Sequence, residues 1–234
     1  MRFGALLLTL GAAGVLAACA SSPSSRFYTL GGAVESRSAV SSAPAAFYFE
    51  LAPVDVPQQV SRNQMVVQTS PAQVSVLEEE RWASLPADEV RRALSGDLSQ
   101  QLNAIDVYGT PYPESAQVYR VKVKVQRFES WPGSQAVIDA VWSVRAAGSQ
   151  VVLTCRTVAQ ERVGGGFDAL VDGHRKAVDE LASAISAGVR SLGSLPPPAA
   201  VLPSANGKAA AGTQPAPRIL PCPASGSATT ASAQ

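Results

Sequence analysis

From Tyr119 to Gln126 the chain alternates without a break: Tyr119, Val121, Val123 and Val125 are apolar, and Arg120, Lys122, Lys124 and Gln126 are polar. A period of two belongs to a β-strand with one face in a core and the other in water, whereas a helix would scatter the same residues around its circumference. Two more strand-like stretches follow, residues 135–147 and 150–162, joined through Trp131-Pro132-Gly133 and Ala147-Gly148-Ser149. Links this short connect neighbouring antiparallel strands. The result is a three-stranded meander, predicted over residues 116–162, whose apolar face must be covered.

Two amphipathic segments can cover it. The first opens at Ser84, the predicted cap, with Pro86 in the first turn and Asp88 and Glu89 at the positive end of the helix dipole. Val90, Leu94, Leu98 and Leu102, backed by Ala93 and Ile105, form its apolar stripe. The second spans residues 168–192, after Gly164-Gly165-Gly166, and places Val171, Val178, Leu181, Ile185 and Val189 on one face. Shorter strand-like runs at 26–30, 47–56, 64–69 and 73–78 precede the first helix. These segments predict an α/β fold: a two-layer domain with one mostly antiparallel sheet covered by two main amphipathic helices, over residues 26–192.

The ends of the chain have a different character. Arg2 is followed by an apolar run of about 16 residues, shorter than the roughly 20 that span a bilayer. This is the layout of a secretory leader. Leu16-Ala17-Ala18-Cys19 resembles the bacterial lipobox in all four positions. The resemblance implies that signal peptidase recognises Leu16, Ala17 and Ala18, that residues 1–18 are a lipoprotein signal peptide, and that Cys19 carries the covalent lipid. Residues 19–25 then form a lipidated tether. Ala20 stands where an aspartate would signal inner-membrane retention, so the expected location is the outer membrane, facing the periplasm. Residues 193–234 hold eight prolines and only two charges, Lys208 and Arg218, and read as a disordered Pro/Ala-rich tail.

The chemistry-bearing residues are few. The net charge is +1, and loss of Arg2 with the leader makes the mature chain neutral, without the positive field that nucleic acid requires. One histidine, His174, and three scattered cysteines, Cys19, Cys155 and Cys222, supply no metal cluster. His174, beside Arg175 and Lys176, reads as part of a solvated helix face with no nucleophile beside it, so no catalytic residue is assigned. An oxidising compartment would allow Cys155 and Cys222 to pair. The buried strand position of one and the tail position of the other argue against it, and the sequence leaves the pairing open. Gly164 to Gly166 lack the spacing of a phosphate loop and read as a strand-to-helix link. Arg120, Lys122 and Lys124 share one face and could meet lipid headgroups or an acidic partner; the alternative is a solvated face balanced by Asp139. Arg81-Trp82 is either an anchor under a loop or part of an interface.

The order of these pieces resembles the ABC-type transport auxiliary lipoprotein family that includes PqiC. The likeness is carried by the lipobox to Cys19, by Phe27-Tyr28-Thr29-Leu30, by Val54 to Pro57 and Arg62 to Val66, by Arg81-Trp82 with the helix after it, and by the final helix. The resemblance implies a non-enzymatic accessory subunit of an MCE/ABC-type system that moves lipids or other hydrophobic compounds across the envelope. It further implies an MCE-domain partner with its inner-membrane component, a homo-oligomeric ring, and no cofactor beyond the lipid on Cys19. A structural or cell-wall-associated envelope lipoprotein without a transport role is the alternative.

Overall fold

The computed structural model describes residues 24–31, 47–194 and 220–223. The leader, the lipobox residues Leu16, Ala17, Ala18 and Cys19, and most of the Pro/Ala-rich tail lie outside the described residues. The chain runs β1 (Arg26–Tyr28), β2 (Tyr48–Leu51), a 3-10 turn (Gln58–Val60), β3 (Gln64–Ser70), β4 (Gln73–Trp82), α1 (Pro86–Leu102), β5 (Ile105–Asp106), β6 (Val118–Trp131), β7 (Gln135–Ala146), β8 (Leu153–Arg162) and α2 (Phe167–Gly193).

The meander forms as its alternation predicts, β6 with β7 and β7 with β8, both antiparallel. The strands make two sheets, however, where the sequence predicts one. A five-stranded sheet has the order β5-β2-β6-β7-β8, and a three-stranded sheet the order β1-β4-β3. β2 pairs in parallel with β6 over residues 118–121 only, and β3 packs beside the rest of β6. β1 goes to the second sheet because its partners are there, in parallel register with β4 from Arg26↔Glu80 to Tyr28↔Trp82.

The inner face of the larger sheet presents Tyr119, Val121, Val123, Val125 and Phe128 from β6, with Ile138, Trp142 and Val144 from β7. α2 covers this face with Val178, Leu181, Ile185 and Val189, all buried, and α1 packs along α2 through a stripe of Val90, Leu94 and Leu98. Each such aliphatic side chain contributes roughly 1.5–3 kcal/mol by leaving water. The layers meet closely at Gly188, where a Cβ would stand 2.9 Å from the Trp142 ring, so only glycine fits there.

Three local expectations change. Ser84 does not cap α1: the N-cap is Leu85, without a side-chain bond, and Ser84 turns to Glu89 instead. Ile105 does not extend the helical stripe, because Asn103 takes the left-handed conformation and ends α1, leaving Ile105 in β5 and 54% exposed. Finally, Cys155 and Cys222 form a disulfide, with Cα atoms 5.7 Å apart, and Leu220 packs against the core. Residues 220–223, expected to be structureless, are thereby held against β8.

Candidate functional site

Directly after the predicted tether, β1 is fastened by two carboxylates. Glu80 accepts hydrogen bonds from the Arg26 guanidinium and from the Tyr28 hydroxyl, the latter at 2.6 Å. Burial, reinforced by Glu80, pushes the Tyr28 phenol up to about 12. Glu89, 0% exposed, accepts from the Leu30 amide at 2.8 Å, the Thr29 hydroxyl at 2.7 Å and the Ser84 amide at 3.1 Å, and pairs with Arg92 at 3.2 Å. Burial alone would raise its pKa. The hydrogen bonds from Ser84, Thr29 and Leu30, with the Arg92 charge, outweigh it and hold the carboxyl below its usual range. Glu89, which reads in the sequence as a dipole-stabilising acid, joins the β1 exit, the β4–α1 link and α1 at one point.

His174 is 0% exposed and not on a solvated face. It stands three residues after Val171 and four before Val178, which puts it on the apolar side of α2. Its ring stacks on Phe128 with centroids 4.2 Å apart and meets the edge of Trp82 at 6.1 Å. Nε2 shares a 2.8 Å hydrogen bond with the Ser130 hydroxyl, while Nδ1 has no partner. Burial pushes the imidazole down to about 3, so it is neutral at physiological pH. A hydroxyl does therefore lie beside the single histidine, contrary to the sequence reading. The pair is sealed in the core, with no orienting carboxylate on Nδ1, and it works there as a polar packing contact. Among the described residues no three His, Cys, Asp or Glu side chains gather where they could hold a metal ion.

Of the two candidates before α1, Trp82 is 2% exposed and packs edge-on against Phe128 at 5.9 Å, so it is a core anchor and is not available to a partner. Arg81 points the other way, with Nε donating to the Glu78 carbonyl at 2.7 Å.

Arg120, Lys122 and Lys124 are exposed on the outer face of the larger sheet. The register sets Arg120 opposite Arg145, Lys122 in one row with Ser143 and Thr154, and Lys124 in the next with Val141 and Arg156. Arg120 bonds Glu50 at 2.8 Å. Asp139 does not balance the lysines: it is 1% exposed and bound by Nε and one terminal nitrogen of Arg156 at 2.8 and 2.6 Å, bonds that keep its carboxyl below the usual range. Among the described residues no carboxylate lies within 4 Å of Lys122, Lys124 or Arg145. A cleft of about 440 Å³ opens over this surface, bounded by Lys122, Lys124, Ser143 and Thr154 and, on the segment after β2, by Asp55.

Among curated proteins none matches the chain in sequence. A crystal structure of an uncharacterized protein is similar with a TM-score of 0.56 and 20% identity, over 71% of this chain and 99% of that one, and shows the same fold. A protein from Xanthomonas campestris is similar at 13% identity and a TM-score of 0.48, over 62% of this chain and 88% of its own. A lipoprotein candidate from Caulobacter crescentus CB15 is similar at 17% identity and a TM-score of 0.33, over 44% and 82%. The family model of the ABC-type transport auxiliary lipoprotein component matches residues 28–186, from the end of β1 through most of α2, and the chain belongs to that family.

Proposed function

We propose that the protein is a non-enzymatic accessory subunit of an envelope transport system, held in the outer membrane by acyl chains on Cys19 and docked, facing the periplasm, on an MCE-domain protein that carries lipid or another hydrophobic compound. The match over residues 28–186 carries the transport-auxiliary part of this reading. No helix among the described residues is long and apolar enough to cross a membrane, and attachment is assigned to the lipid. Each buried methylene contributes on the order of 0.8 kcal/mol, so several chains on one cysteine make attachment effectively permanent. The Cys155–Cys222 disulfide supports an oxidising compartment such as the periplasm.

Cys19→Ser tests the anchor and detergent co-purification tests the partner. The variant should remain an uncleaved precursor absent from the outer-membrane fraction, and the lipidated wild type should bring down an MCE-domain protein. Normal processing of the variant would overturn the anchor. A wild type that captures envelope or cell-wall components but no MCE protein would overturn the transport reading in favour of a structural lipoprotein.

A further inference from the structure

We infer that the outer face of the five-stranded sheet around Lys122, Lys124 and Arg145 is a docking surface for an acidic segment of the transport partner. The inference rests on the accessory-subunit reading. In a mature chain of no net charge, cations have gathered on three successive cross-strand rows, Arg120 with Arg145, Lys122 with Ser143 and Thr154, and Lys124 with Val141 and Arg156. Arg120 directly opposite Arg145 is a pairing that weakens a sheet, and Glu50 answers only Arg120. Asp139 is engaged by Arg156 and Glu129 by Arg127, which among the described residues leaves Asp55, bridged to Lys124 through its backbone at the edge of the cleft, as the one acid beside these rows, with no ion pair within 4 Å. Against that single acid, Lys122, Lys124 and Arg145 present an excess of positive charge that makes no ion pair within the described fold, with the Ser143 and Thr154 hydroxyls beside them as further donors. Carboxylates of an extended acidic segment laid along the cleft would complete these rows.

The mix of cations with the Ser143 and Thr154 hydroxyls along a cleft fits an extended acidic segment, and the face lies some way along β6 from where β1 joins the domain. β1, through which the tether enters, pairs with β4 at Tyr28↔Trp82, and Trp82 packs on Phe128. Lys122 is six residues earlier on β6, about 20 Å along the strand at roughly 3.3 Å per residue. The cation rows therefore lie well along β6 from the point where the β1–β4 pair meets the larger sheet.

The test uses the mature lipidated protein in detergent and a fluorescent peptide of alternating glutamate and serine. Wild type should bind the peptide, more weakly as salt is added. The combined Lys122→Glu, Lys124→Glu and Arg145→Glu variant should bind about tenfold more weakly, since three exposed ion pairs are lost. Lys122→Gln with Lys124→Gln guards against a folding defect and should show an intermediate loss at an unchanged thermal midpoint. Arg162→Gln, an exposed cation at the far end of β8, should bind as wild type does. Equal peptide binding by wild type and charge variant, or none by either, overturns the inference. So does a charge-dependent affinity for phosphatidylglycerol vesicles without affinity for the peptide, which would assign the face to lipid. In membranes, capture of the MCE protein by wild type but not by the charge variant supports the inference. Capture by both overturns it and leaves the proposed function standing. If wild type captures no MCE protein, the proposed function fails, and the peptide titration alone decides for or against an acidic occupant.

Discussion

His174 lies flat on Phe128, the two ring planes 2° from parallel, with Ser130 hydrogen-bonded to its Nε2. A neutral ring in that stack loses its fit once protonated, because burial disfavours the cation and no carboxylate is present to compensate.

Acid should therefore destabilise the fold through this residue. The folded-state pKa is about 3 and the unfolded value about 6.5. Above the unfolded value both states are neutral and His174 has no pH effect. As pH falls from about 6.5 towards 3 the unfolded chain takes up a proton that the folded one refuses, and stability drops by roughly 1.4 kcal/mol per pH unit. Urea titrations at pH 7 and pH 5 should show this fall in wild type. His174→Phe should flatten it, and a variant with the same pH slope as wild type would refute the assignment.

Glu89→Ala should free the exit from β1. The substitution leaves the Leu30 amide and the Ser84 amide without their acceptor, at a cost of about 1–3 kcal/mol for each buried donor. Hydrogen exchange at residues 28–31 should speed up well before global unfolding, while exchange in β7 stays slow. Uniform acceleration throughout the domain would mean that Glu89 supports the whole fold and has no particular hold on β1.

Cys222→Ser should lower stability by on the order of 4 kcal/mol, the loop-closure value for residues 67 apart in sequence. Truncation after Pro223 should change the thermal midpoint little, while truncation after Ser194 should reproduce the loss seen in Cys222→Ser. A midpoint equal to that of wild type in both Cys222→Ser and the longer truncation would show that the bridge does not stabilise the domain.

What was legible in the sequence was what repeats locally. The alternation at Tyr119 to Gln126 and the stripes on α1 and α2 fix strand and helix through neighbours a few residues away. What was not legible needed distant partners. Nothing near Arg26 announces that its strand pairs with Glu80, and an acid at position 89 serves a helix dipole equally well whether or not Thr29 and Leu30 come to meet it. Trp82 read as either an anchor or an interface, because an aromatic side chain serves both and only the packing of Phe128 decides between them. His174 was within reach, since its spacing from Val171 and Val178 puts it on the buried stripe; its polarity and two basic neighbours pointed the other way. The outer-face cations were visible as a stripe, but their excess over nearby acids depended on Arg156 having taken Asp139.

The parallel pairing of β1 with β4 also sets how the domain bears mechanical load. Under the proposed attachment through Cys19, the domain is pulled through the segment before β1 whenever the proposed partner moves. Because the tether enters at the start of β1 and the strand runs alongside β4, a pull directed along the strand loads its rungs together, in shear, with the bonds from Thr29 and Leu30 to Glu89 behind them. An antiparallel hairpin pulled apart from its open end would surrender the same rungs one at a time.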